Sequence, residues 1–143
     1  MINMHMTSKV FVDTNVYVAL RNTKDTTHQK AIQILNYLID KGVKIYTSSD
    51  VIGESLTVIS KIMGKAEAKG FLSDVQTMSN IIFVDEIAHK ETQKYFFRVK
   101  SNKISFIDCS NVVIMKKYKI KYIFSFDEDF KKMGVELLGD AVK

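Results

Sequence analysis

The sequence predicts an α/β protein, a parallel sheet covered by helices on both faces. Short apolar runs, each suited to a strand buried on both sides, alternate with longer segments of helical period. The 143-residue chain has no proline, and no repeat, low-complexity tract or linker-like stretch divides it. Its length is that of one ordinary domain able to bury a real core.

The elements follow in order. Residues 1–8 read as a flexible N-terminal extension, with Met4 and Met6 as alternative starts, and residues 9–143 as a single domain. Residues 10–12 form the first strand, which ends at Asp13. Residues 27–40 have helical period, Gly42 is placed to end that helix, and residues 43–46 form the second strand. Helices at 50–63 and 65–78 precede a strand at 81–84, and helices at 86–101 and 106–118 precede a strand at 122–124. A short turn at 128–132 and Gly134 lead into a last strand at 135–137. In a sheet of this kind function gathers at the carboxyl ends of the strands.

Composition narrows the function. Hydrophobic residues make up 46% and charged residues 26%, the profile of a soluble globular protein. Lys and Arg total 21 against 16 Asp and Glu, a net charge of +5 that permits a polyanionic partner. Arg21 and Arg98 are the two arginines, so phosphate contacts fall mainly to lysine point charges, which favours a backbone over base edges. The single cysteine, Cys109, excludes an intramolecular disulfide. No apolar run reaches the ~18 residues of a membrane span, and the start lacks a secretory signal, so the expectation is a cytoplasmic protein without a membrane partner. Neither GxGxxG nor GxxxxGK[ST] occurs, which leaves nucleotide hydrolysis without support. His5, His28 and His89 lie away from the acidic motifs and Cys109 has no CxxC companion, a pattern that makes no zinc site.

Four acidic residues stand out, each with an ordinary alternative. Asp13 ends the first strand in Val10-Phe11-Val12-Asp13-Thr14-Asn15, where a helix N-cap is the plain reading. Glu54 lies at the margin of an apolar helical arc made by Val51, Ile52, Leu56, Val58, Ile59, Ile62 and Met63, where a solvated glutamate is usual. Asp108 sits in a helix that is apolar nearly all round, and Ser105-x-x-Asp108 reads as a capping box. Asp127 follows the fourth strand in Ser125-Phe126-Asp127-Glu128-Asp129-Phe130, where Ser125-x-x-Glu128 is a second possible box and the acids suit a helix N-terminus. Together the four are more telling. The architecture brings Asp13, Glu54 and Asp127 to the carboxyl-end rim, and carboxylates so gathered need protons or a cation. Oxygen-only ligand sets suit Mg²⁺ or Mn²⁺.

These segments resemble those of the PIN-domain ribonucleases, particularly the VapC-type toxins of toxin–antitoxin pairs. The resemblance rests on Asp13-Thr14-Asn15, Val51-Ile52-Gly53-Glu54, Ile104-Ser105-Phe106-Ile107-Asp108 and Ser125-Phe126-Asp127-Glu128-Asp129-Phe130. Their order and spacing agree from about Lys9 to the end of the chain. It implies a PIN-like three-layer α/β/α fold with a five-stranded parallel sheet, and an endoribonuclease that cuts RNA through water activated by one or two Mg²⁺ or Mn²⁺ ions. Products with 5′-phosphate and 3′-hydroxyl ends are implied by the same analogy. Asp13 and Asp108 are then expected to contact metal directly, and Glu54 and Asp127 directly or through water. Thr14, Asn15, Ser105 and Ser125 are expected to orient the carboxylates, and either Asp127 or Asp129 could face the metal.

Two other readings compete. A receiver-like signalling domain is also a small α/β fold with an acidic pocket, but it wants a second acid beside Asp13, where Thr14 stands. A PIN-like domain that has lost catalysis would serve as an RNA- or protein-binding scaffold. Outside the site, Ile87, Ala88, Tyr95, Phe96 and Val99 form one apolar arc and Phe97 points away from it, which suits a second copy of the chain or an antitoxin helix. Lysines 116, 117, 119 and 121 read as a solvated helix end. Lys103 is the better candidate for contacting phosphate.

Overall fold

The computed structural model describes residues 4–138. Five strands, β1 (Lys9–Val12), β2 (Lys44–Ser48), β3 (Asn80–Ile82), β4 (Tyr122–Phe124) and β5 (Glu136–Leu137), form one parallel sheet in the order β3-β2-β1-β4-β5. Consecutive residues Val10, Phe11 and Val12 are all buried, as are Ile123 and Phe124, so both faces of the central strands are covered. That is why these strands read as unbroken apolar runs rather than alternating ones.

The helices are α1 (Thr14–Arg21), α2 (His28–Asp40), α3 (Ser49–Met63), α4 (Lys65–Met78), α5 (Glu86–Arg98) and α6 (Phe106–Lys117), with a 3₁₀ turn at Glu128–Lys132. Side-chain caps fix several starts. The Ser48 hydroxyl accepts from Val51 N and the Asp85 carboxylate from Ala88 N. α1 packs on α2 and α3, α3 on α4 and α6, and α5 on α6. Arg21 at the end of α1 is clamped to α4 by Glu67 and Asp74.

Sheet order decides where a site can form. From β1 the chain winds outward through β2 to β3, then returns to the other side of β1 with β4. The winding direction reverses between β1 and β4, so a crevice opens at their carboxyl ends. This order also differs from the 2-1-3-4-5 of receiver domains, which removes that reading. Asp85, which follows the third strand region, caps α5.

Several expectations are corrected. α1 was absent from the expected helices, although Val16, Tyr17, Val18 and Ala19 are buried on it. β3 ends at Ile82 rather than Val84, because Val84 N turns away to the Ser49 hydroxyl, and this leaves Phe83 76% exposed. α5 stops at Arg98, short of residue 101. Ile87 leaves the apolar arc and is 64% exposed, and Ile62 on α3 is exposed too. Within the expected N-terminal extension, residues 1–3 lie outside the described residues. Met4, however, is only 2% exposed and donates its backbone N–H to the Tyr37 hydroxyl.

Two glycines give substitutions of opposite sign. Gly134 has φ +76°, a conformation open to glycine, and Gly134→Ala is expected to cost about 1–2 kcal/mol. Gly53 lies within α3 with no atom within 4 Å of where a Cβ would sit, so Gly53→Ala is expected to stabilise by about 0.5–1 kcal/mol. Denaturant melts of the two variants check the pair, and a shift of the same sign in both would contradict these backbone assignments.

Candidate active site

Asp13 leaves the end of β1 and caps α1, with its backbone N–H donating to Phe124 O of β4. It is 5% exposed, so its carboxylate has left water and needs donors from the protein. Four supply it. Thr14 N (2.8 Å) and Asn111 Nδ2 (3.0 Å) donate to Oδ1. The Ser125 hydroxyl (2.9 Å) and Asn15 Nδ2 (3.4 Å) donate to Oδ2.

These donors are themselves fixed. Asn15 also donates to the Ser125 hydroxyl and accepts from Phe126 N, while that hydroxyl accepts from Asp127 N. β1, α1, α6 and the turn after β4 are thereby tied at one point.

The other acids surround this point. Asp108, half-buried in the first turn of α6, forms the capping box with Ser105: Ser105 N donates to Asp108 Oδ2 and Asp108 N to the Ser105 hydroxyl. Asp127 caps the 3₁₀ turn by accepting from Asp129 N. Glu54, half-buried on α3, takes no hydrogen bond from the described residues. Burial pushes the Asp13 carboxyl up to about 6, against the opposing hydrogen bonds from Thr14 and Ser125, with repulsion from Asp108 and Glu54 adding to it. Asp108 is raised mainly by burial, with repulsion from Asp127 and Glu54 adding. Asp108 and Glu54 thus act on Asp13, and Asp127 and Glu54 act on Asp108.

Some expected details change. Ser125 does not form a box with Glu128, because Asp127 caps the turn and the Ser125 hydroxyl accepts from Asp127 N while donating to the buried Asp13 carboxylate. Thr14 serves Asp13 through its backbone N–H, and its hydroxyl is buried without a partner. As placed, no three His, Cys, Asp or Glu side chains among the described residues are grouped closely enough to hold an ion. Sequence reasoning missed Asn111, which is fully buried, donates to Asp13 and keeps an unpartnered Oδ1. It also missed the Ser110 hydroxyl bonded to Asp50 at 2.9 Å, which joins α6 to α3. The available signal was Ser110-Asn111 inside an otherwise apolar helix, since a buried polar residue is the informative exception.

Fold and site together define an α/β domain with interacting carboxylates at the switch point of its parallel sheet. The chain belongs to the PIN domain family, whose model matches residues 10–136. Ribonuclease VapC1 of Aquifex aeolicus is 29% identical over 133 residues, covering 91% of this chain and 89% of that protein. The 23S rRNA-specific endonuclease VapC20 of Mycobacterium tuberculosis is 26% identical over 126 residues, covering 87% of this chain and 94% of that protein. The solved structure of VapC20, described as a sarcin-ricin-loop-cleaving toxin, superposes with a TM-score of 0.80 at 25% identity, covering 88% of this chain and 95% of that one. VapBC2 from Rickettsia felis, solved on a promoter DNA fragment, shares the fold with a TM-score of 0.66 at 17% identity, covering 90% of this chain and 96% of that one.

The raised Asp13 carboxyl fixes the sign of a pH effect. Its folded-state value lies above the ordinary 3.8, so its protonated form adds stability that is complete at low pH and lost as pH rises through about 6. In EDTA, wild type is expected to lose on the order of 1–2 kcal/mol relative to Asp13→Asn between pH 5 and 7.5. Urea melts at several pH values measure it, and a difference that stays constant across that range would contradict the assignment.

Proposed function

We propose that the protein is a divalent-metal-dependent endoribonuclease of the toxin type, hydrolysing RNA phosphodiester bonds at Asp13, Glu54, Asp108 and Asp127. The observation that carries this reading is the buried Asp13 carboxylate lying in the field of Asp108 and Glu54, a concentration of negative charge that a bound cation would relieve. The Aquifex and Mycobacterium relatives, a ribonuclease and a ribosomal-RNA endonuclease, support the substrate class.

The donor set fits a hard ion such as Mg²⁺ or Mn²⁺. It is made of oxygen alone, with Glu54 unbonded among the described residues and one carboxylate oxygen each on Asp108 and Asp127 not used by their capping hydrogen bonds. Asp13 accepts at both oxygens already, and its longest bond, from Asn15, would be the one given up at least cost if Asp13 held a cation. When bound, a divalent ion supplies charge neutralisation at the phosphate and makes water a stronger acid.

The chain's own residues do the rest. Asn111, Ser125 and Thr14 N hold Asp13 in one orientation, which keeps the site arranged before substrate arrives. Glu54, free of other bonds, is the acceptor for the attacking water's proton. An antitoxin is the proposed protein partner. Phe97, 84% exposed on α5, is the proposed contact for it or for a second copy of the chain.

Single-stranded RNA is expected to be cut at neutral pH with Mg²⁺ or Mn²⁺ and left intact in excess EDTA. Asp13→Asn and Asp108→Asn should each abolish cutting, and Asp127→Ala should impair it far more than Asp129→Ala. Cleavage that persists in EDTA, or survives both asparagine changes, would remove the metal mechanism. RNA binding without any metal-dependent cleavage by wild type would return the chain to the scaffold reading.

A further inference from the structure

Away from the carboxylates, α5 packs on α6, with Glu91 of α5 meeting Lys117 of α6 and Tyr95 meeting Lys116. Between them is an open groove of about 390 Å³. Four cations line it, Lys94, Arg98, Lys116 and Lys117, against one carboxylate, Glu91. Glu91 is bound to Lys117 at 3.2 Å, and no ion pair forms to Lys94, Arg98 or Lys116 among the described residues. Elsewhere, Arg21, Lys90, Lys121 and Lys131 each pair with an acid. The Tyr95 ring holds two of the groove's cations, with the Arg98 guanidinium 5.7 Å and the Lys116 ammonium 5.6 Å from its centroid.

A favourable helix-end dipole gives Arg98, Lys116 and Lys117 an individual reason to be cationic. It gives none for Lys94, which lies a full turn before the end of α5, and none for the convergence of cations from two helices on one groove. The groove also shares α6 with the candidate site. α6 carries Asp108 in its first turn, Val112 at the groove one turn later, and Lys116 about 12 Å beyond Asp108 at ~1.5 Å per residue.

Resting on the nuclease reading above, we propose that this groove binds the sugar–phosphate backbone of the RNA to one side of the cut, with Lys94, Arg98 and Lys116 contacting phosphates and Tyr95 positioning Arg98 and Lys116. Lysine point charges in an open groove suit a backbone read without regard to base sequence. The arrangement also answers an electrostatic difficulty. The four carboxylates repel RNA, and a cationic track beside them supplies the attraction that brings the strand in.

The test uses the full chain and two measurements on a fluorescent single-stranded RNA. The first is binding in EDTA across a salt series, in an Asp13→Asn background, with and without Lys94→Gln, Arg98→Gln and Lys116→Gln together. Loss of three phosphate contacts is expected to weaken binding at least tenfold at low salt. The slope of log K against log salt should become shallower by about 2, at roughly 0.7 per contact for single strands. The second is cleavage kinetics with Asp13 intact, where the triple variant should raise KM while kcat holds, and Lys90→Gln, whose partner is Glu86, should change neither. If wild type cleaves RNA and the triple variant keeps its KM and salt slope, the groove proposal is overturned while the nuclease reading stands. If wild type cleaves no RNA, it is the nuclease reading that fails. If the triple change abolishes binding of an acidic protein segment but not of RNA, the groove serves a protein and the proposal is overturned.

Discussion

A buried carboxylate with no salt-bridge partner among the described residues is the constraint around which the rest is organised. Removing Asp13 from water is costly unless its oxygens are bonded, and hydrogen bonds to a charged group contribute about 1.5–3 kcal/mol each. Its donors come from the helix it caps, from α6 about a hundred residues later, and from Ser125 just past β4. They can converge because β1 and β4 are neighbours and the winding of the sheet reverses between them. Sheet order therefore sets the site, and the site in turn locks β1, α1, α6 and the β4 turn together. Even so, burial wins over the hydrogen bonds, and Asp13 holds its proton more tightly than an ordinary aspartate.

This balance gives the domain a divided electrostatic character. The chain carries a net +5, yet its four catalytic candidates are acids, and Asp13 and Asp108 each feel repulsion from neighbours in that set. Under the proposed function the two signs do different work. The acids gather a cation at the cut, while unpaired lysines and Arg98 along α5 and α6 hold the strand. Tyr95 links the halves of that track by facing cations from both helices.

Much of this was legible in the sequence, because strands buried on both faces have no polar alternation to hide them. All five were anticipated, and the Ser105-x-x-Asp108 box formed as read. α1 was not, because Thr14-Asn15-Val16-Tyr17-Val18 is rich in strand-forming residues and follows a strand directly. Packing overrides that preference, as Val16, Tyr17 and Val18 are all buried on the helix. The Ser125-x-x-Glu128 motif failed for a different reason: a capping motif describes local geometry, whereas the Ser125 hydroxyl finds a charged acceptor across the sheet. A buried polar Asn111 could have been noticed, but its partner and the α5–α6 groove could not, because each depends on residues distant in sequence, α6 meeting β1 in one case and α5 meeting α6 in the other. Lys116 and Lys117 read correctly as a helix end, but a single helix could not reveal that they face Lys94 and Arg98.

The central claim is that the four carboxylates form one cation site around Asp13. Anomalous diffraction from crystals soaked in Mn²⁺ tests it most directly. The account predicts a peak with carboxylate oxygens of Asp13 and Asp108 at about 2.1 Å, Glu54 or Asp127 beside it, and the Asn15 bond to Asp13 released. A peak elsewhere on the molecule, with all four hydrogen bonds to Asp13 intact, would contradict it and leave Asp13 a structural cap.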